Sequence, residues 1–170
     1  MDASRDPGEC VRRARDPATG PEELARLSTS EYIFVRQEVA AHPNTPAASL
    51  SAMVPAALGT PDDFRIAWAL LTNPGLPASD CGRISRLVPA VLSSILPREY
   101  YARSFMEALG ANAHASCEVL GVLLTPETPR HIREWIARKS RRADVLERLA
   151  RDPSKIVRNV AVRAPGRLET

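Results

Sequence analysis

The residues best able to make or break covalent bonds are thinly spread along this chain of 170 residues. Three cysteines (Cys10, Cys81, Cys117) and three histidines (His42, His114, His131) show no spacing that would seat a pair of ligands on one metal ion. There is no Ser/His/Asp arrangement with a nucleophile elbow, no glycine loop that could cradle a phosphate, and no HExxH. Asp16-Pro17 and Asp152-Pro153 are turn signals before they are acids. The expectation is a non-enzyme with no metal and no cofactor.

Arginine is the side chain whose pattern invites a functional reading. Arg12, Arg36, Arg65, Arg103, Arg133 and Arg158 each follow an apolar or aromatic residue, or an alanine, in a recurring context. Stacked once per repeat they would form a ladder, and planar guanidinium groups suit phosphates and carboxylates. The same ladder could instead be structural, each arginine bonding loop carbonyls or an acid in the adjacent repeat. The densest basic run is Arg130 to Arg142, where Arg138, Arg141 and Arg142 can share a face and Trp135 lies three residues before Arg138. It could hold a nucleic-acid backbone beside a stacking platform, or it could be a solvated helix end whose cations suit the dipole. Trp135 is the better candidate for a binding anchor, since Trp68 has no clear register. The partner-facing candidates are Arg36, Arg65, Arg103, Arg133, Trp135, Arg138, Arg141, Arg142 and Arg158.

These residues are positioned by a repeating unit. Val35-Arg36-Gln37-Glu38-Val39-Ala40-Ala41-His42-Pro43-Asn44-Thr45-Pro46, with Leu50 and Met53 beyond, recurs in near-copies along the chain. Val35 and Val39 lie on one helical face. Pro43 stops that helix near Ala41, because a residue before proline is pushed out of the α region. A second, shorter helix then carries the pair Leu50 and Met53, as Leu24 and Leu27 do after Gly20-Pro21. Val11-Arg12, Ile132-Arg133 and Val157-Arg158 begin further copies, with degenerate ones at Phe64-Arg65 and Ala102-Arg103. The spacing is about 24 residues at both ends and wider between them. Residues 85–101 depart most, and the spacing of Val88, Val91, Leu92, Ile95 and Leu96, bounded by Pro89 early on and Pro97 at the end, predicts an enlarged helix there.

Totals bound the rest. Fifteen prolines punctuate the chain and disfavour long bundles and central strands. The formal charge is +3, but of the 23 basic residues only Lys139 and Lys155 are lysine. Such use of Arg, Ala and Pro is what a GC-rich genome produces, so the charge says little about nucleic acid. The apolar stretch from Leu87 to Leu96 is too short to span a bilayer, and the start has no apolar signal region. An odd number of scattered cysteines reads as reduced thiols, hence a cytoplasmic protein.

The pattern Val-Arg-x-x-Val-Ala-x-His-Pro-Asn-Thr-Pro-x-x-x-Leu-x-x-Met, with echoes at 11–27 and 132–165, resembles the leucine-rich repeat variant family. That family stacks one α-helix and one shorter, 3₁₀-like helix per unit into a right-handed solenoid without strands. The resemblance is specific at 11–53 and 145–165, fair at 64–84 and 103–137, and absent at 85–101. The founding type carries a cysteine-ligated iron–sulfur module ahead of its repeats; with no cysteine cluster here, that cofactor is not carried over. Outside that module the resemblance implies an interaction scaffold and no reaction.

The expected fold is therefore an all-α, right-handed solenoid of about five or six helical repeats forming a single domain over 1–170, clear at 11–53 and 131–165 and degenerate at 64–130. The expected function is a non-catalytic scaffold that binds another protein. The alternative is nucleic-acid binding, akin to helical-repeat DNA glycosylases. Self-association is a third possibility, through Val157, Val160 and Val162 if no helix covers them.

Overall fold

The computed structural model describes residues 6–92 and 99–164, with side chains omitted at 99–101. Among the described residues the chain is all-helical with no strand. No helix among them is long and apolar enough to cross a membrane. The chain divides into two compact units, Met1–Pro77 and Ala78–Thr170.

The first unit holds α1 (Pro7–Arg15), α2 (Pro21–Leu27), α3 (Ile33–Ala41), α4 (Ala47–Met53) and α5 (Pro61–Thr72). Longer helices alternate with seven-residue ones, and three of the five starts have a proline as local cause. Pro7, Pro21 and Pro61 open α1, α2 and α5, where a missing N–H costs nothing. Thr60 and Asp63 form a reciprocal capping box at α5, satisfying two N–H groups that the helix leaves free. α3 packs between α1 and α5, with α2 and α4 against it. The core joins Cys10, Ala14, Leu24, Leu27, Val35 and Val39, with Val11, Tyr32 and Met53 at its margin. Each fully buried leucine or valine there contributes roughly 1.5–3 kcal/mol relative to exposure.

The turn after each long helix is built the same way. Asp16, His42 and Asn73 stand before Pro17, Pro43 and Pro74, and each side chain accepts the backbone N–H two residues on, at 2.8–3.1 Å. The ring and amide then reach back one repeat. His42 Nε2 meets the Asp16 carbonyl at 3.0 Å, while Asn73 Nδ2 donates to the Ala40 and His42 carbonyls at 2.9 and 2.8 Å. With His42 Nδ1 accepting and Nε2 donating, the neutral Nε2–H tautomer is set by its partners. One polar side chain per turn thus closes its own loop and fixes its distance from the loop before.

The second unit holds α6 (Ala78–Leu87), α7 (Glu99–Ala111), α8 (Arg130–Lys139), α9 (Ala143–Leu149) and α10 (Lys155–Arg163), with 3₁₀ turns at Pro89–Val91 and Gly121–Leu123. α8 packs between α7 and α10, and α9 lies against α8 and α10. Val145, Leu146 and Leu149 are the buried stripe of α9. Gly110 lets α7 and α8 approach closely: a Cβ there would stand 3.0 Å from the Ile136 Cα and would also meet the Ile136 carbonyl. Asn112 repeats the turn pattern, accepting the His114 N–H at 2.9 Å. The enlarged helix expected within 85–101, bounded by Pro89 and Pro97, is described only at its start, where Pro89 opens a 3₁₀ turn after α6 ends. Residues 93–98 of that expectation, and Pro165 of the last repeat, lie outside the described residues.

Candidate interaction surface

Three of the expected arginines share one geometry. Arg36 Nη1 donates to the carbonyls of Ser30 and Glu31 at 2.6 and 3.1 Å, six and five residues earlier. Arg158 Nη1 donates to Asp152 and Pro153 at 2.7 and 2.9 Å with the same spacing. Arg133 Nη1 bonds the Thr128 carbonyl and, at 3.3 Å, that of Pro126. Each clamps the loop that leads into its own helix, using carbonyls that the helix itself cannot satisfy.

Arg133 goes further. Its Nε and Nη2 grip both oxygens of Asp152, at 2.6 and 3.1 Å, and both side chains are 4% exposed. Asp152 belongs to the loop before α10, so this bidentate pair ties one repeat to the next. Burial pushes the Asp152 carboxyl up, but the Arg133 bonds, the Ser154 N–H and the charges of Arg133 and Arg158 outweigh it, and the net shift is downward. Arg133 is therefore buried and presents no edge to solvent.

Arg65 and Arg103 occupy a different register. Aligning the helices on their turn residues (His42, Asn73, Asn112) places Ala67 and Met106 where Arg36 stands. Both are buried at 0% exposure. The first helix shifts likewise: Thr19 Oγ1 bonds the Arg13 carbonyl as Thr45 Oγ1 bonds that of Val39, so Cys10 holds the place expected for Arg12. Arg65 instead pairs with Asp62 at 3.3 Å on the outside of α5. Arg103 pairs with Glu107 at 2.9 Å.

The remaining candidates lie on the exposed side of the second unit. Arg138 bonds Glu134 at 2.7 Å and approaches Glu107 at 3.7 Å, so Arg103 and Arg138 converge on one carboxylate. Arg142 reaches Asp144 at 3.0 Å. Its neighbour Arg141 is exposed, with no ion pair among the described residues. Trp135 is half-buried, with the edge of His131 against it at 4.8 Å between centroids. His131 Nε2 is enclosed without a hydrogen-bond partner among the described residues.

A cleft of about 380 Å³ opens along α8 and α10, lined by Arg138, Ile156, Asn159, Val160, Arg163 and Ala164. Ile156 is 45% exposed, and Val162 beyond it is 54% exposed. Apolar side chains at that exposure beside the cations Arg138 and Arg163 suit contact with another macromolecule. In the first unit Phe34 and Trp68 are the exposed large apolar side chains, and Phe34 stacks on Tyr32 at 5.4 Å.

Groups suited to covalent chemistry are withdrawn by comparison. Cys10 and Cys81 are buried thiols, and burial pushes Cys81 up to about 11. Burial, with Asp144, also raises Cys117, whose Sγ–H donates to the Asp144 carbonyl at 3.0 Å. Among the described residues no three His, Cys, Asp or Glu side chains gather as a metal site would need. Sequence reasoning missed Asp152 and Glu107 as partners of arginine and Ile156 as an exposed apolar residue, whereas Val162 was among the residues named for self-association. Only Asp152 left a trace, in the Asp-Pro that was read as a turn. No family model, curated protein or solved structure matches the chain.

Proposed function

We propose that this chain is a non-catalytic helical-repeat module, a solenoid of the leucine-rich repeat variant type, that binds another protein. The observation that carries the reading is the cleft along α8 and α10, where Arg138 and Arg163 flank Ile156 and Val160. A mixed basic and apolar groove on a repeat scaffold suits an extended or helical protein segment with acidic flanks. The alternation of long and short helices, the repeated turn and the three arginine clamps support the solenoid. Reduced, buried thiols suit the cytoplasm.

Nucleic acid is the less supported partner. It favours cations unopposed by acids, whereas Arg138 and Arg142 are held by Glu134 and Asp144. The test is affinity capture with the immobilised full chain, followed by titration of each recovered protein against wild type, Arg138→Glu and Ile156→Asp. A recovered protein whose affinity drops at least tenfold with either variant supports the cleft. Failure to recover any protein, together with salt-sensitive binding of a single-stranded oligonucleotide, overturns the proposal.

A further inference from the structure

The helix positions that one repeat offers to the next can be followed through the chain. Counted from the turn residues, the position held by Ala40 in α3 is held by Ala14 in α1 and Gly110 in α7; counted from the clamping arginine, it is held by Ala137 in α8. All four are buried, with Ala14 at 1% and Ala40 and Ala137 at 0% exposure. Each of those helices has another long helix packed against it on the C-terminal side, α3, α5, α8 and α10 in turn. In α10 the same position is Val162, at 54% exposure.

The arginine beside it repeats the contrast. Arg133 uses Nη1 on its own loop and its Nε/Nη2 edge on Asp152 of the following repeat. Arg158 uses Nη1 in the same way, and its Nε/Nη2 edge has no partner among the described residues. In the first unit the space beside Arg36, a cavity of about 280 Å³, is likewise lined by the acids of the following repeat, Asp62 and Asp63. Arg133 closes on a carboxylate of the following repeat, and Arg36 shares a cavity with two, which are held by Arg65 and by the Thr60 cap.

Charge decides what can cover α10. Its nine residues include Lys155, Arg158 and Arg163 and no carboxylate. A second copy laid on this face about a two-fold axis would set those cations against their own kind. We infer that the outer face of α10, formed by Lys155, Arg158, Asn159 and Val162, docks an acidic amphipathic helix of a partner protein. Its apolar stripe lies on Val162, and a carboxylate just ahead of the helix closes on the free edge of Arg158 as Asp152 closes on Arg133. This names the partner's chemistry, and it rests on the reading of the chain as an interaction module.

The probe is a synthetic peptide copying residues 150–163 of this chain, with the Lys155, Arg158 and Arg163 positions changed to Glu and the Asp152 position kept. Calorimetric titration into the full chain should give saturable binding that weakens as salt rises. Changing the peptide's Asp to Asn should weaken it about tenfold, the loss of one charged pair, while leaving the protein untouched. Val162→Asp, at an exposed position, should abolish binding without loss of helicity. Arg158→Glu should restore binding to a peptide bearing Lys in place of that Asp. No binding, or binding indifferent to the peptide's Asp and to Val162, overturns the inference. So does a dimer that Val162→Asp dissociates, since the face then takes a second copy. So does binding by a chain ending at Ala164 but not by the full chain, since residues 165–170 then occupy the face. If a captured protein binds the cleft but ignores Val162→Asp, the module stands and this face falls. If neither capture nor peptide succeeds, both fall.

Discussion

Arg133 and Arg36 hold the same place in their repeats, and the difference in what they touch sets the difference in what their loss should cost. Arg36 makes two bonds to loop carbonyls from a half-buried position. Arg133 is enclosed and neutralises an enclosed Asp152. Replacing Arg133 by Gln leaves a buried carboxylate without its counter-charge, at a cost of about 3–5 kcal/mol. Arg36→Gln should cost about 1–2 kcal/mol, the loss of a charged donor at a wetter site. Urea titration of both variants measures the contrast. Asp152 also predicts a pH dependence. Its carboxyl titrates below the ordinary 3.8 in the folded chain, so on acidification the unfolded chain takes up the proton first. The stabilisation is complete above that value and drains away as pH falls through the lower, folded one. Stability measured from pH 5 downward should lose this acid limb in Asp152→Asn. The arginine positions at 36, 133 and 158 were legible from the repeat, and so was the pair of readings attached to them. The acid that answers Arg133 was not, because Asp-Pro spells a turn equally well with or without a cation nearby.

At the scale of elements, α7 and α8 meet where Gly110 removes a side chain. Gly110→Ala forces a methyl group towards the backbone at Ile136 and should cost about 1–3 kcal/mol of stability. Gly121→Ala, where a Cβ meets nothing within 4 Å, serves as the control and should stay within about 0.5 kcal/mol. Thermal or urea unfolding of the two variants makes the comparison, and equal costs would mean that the close approach does not constrain the packing. Some helix ends were readable in advance: Pro43 stops α3 just after Ala41, and Pro21 starts α2. Register was less readable. An arginine after an apolar or small residue occurs at 64–65 and 102–103 as it does at 35–36, yet the turns show that these copies are offset.

For the whole molecule, the proposed solenoid makes a claim about how stability is distributed. In such a row each repeat rests on its neighbours, so a cut at one interface loosens what lies beyond it and spares what lies before. Helical content was readable because short periodic stripes and frequent prolines leave few other ways to bury 44% hydrophobic residues. What the surface binds was not, since exposure at Ile156 and Val162 depends on which helices pack against α10, and their residue types do not set them apart from the buried Val157. Native-state amide hydrogen exchange on Arg133→Gln tests the distribution directly, because the substitution removes one tie between consecutive repeats. A row of repeats predicts that exchange in α9 and α10 accelerates about a hundredfold, the equivalent of nearly 3 kcal/mol, while α1 to α5 keep their wild-type protection. The same acceleration in every helix would show one indivisible core and contradict the account.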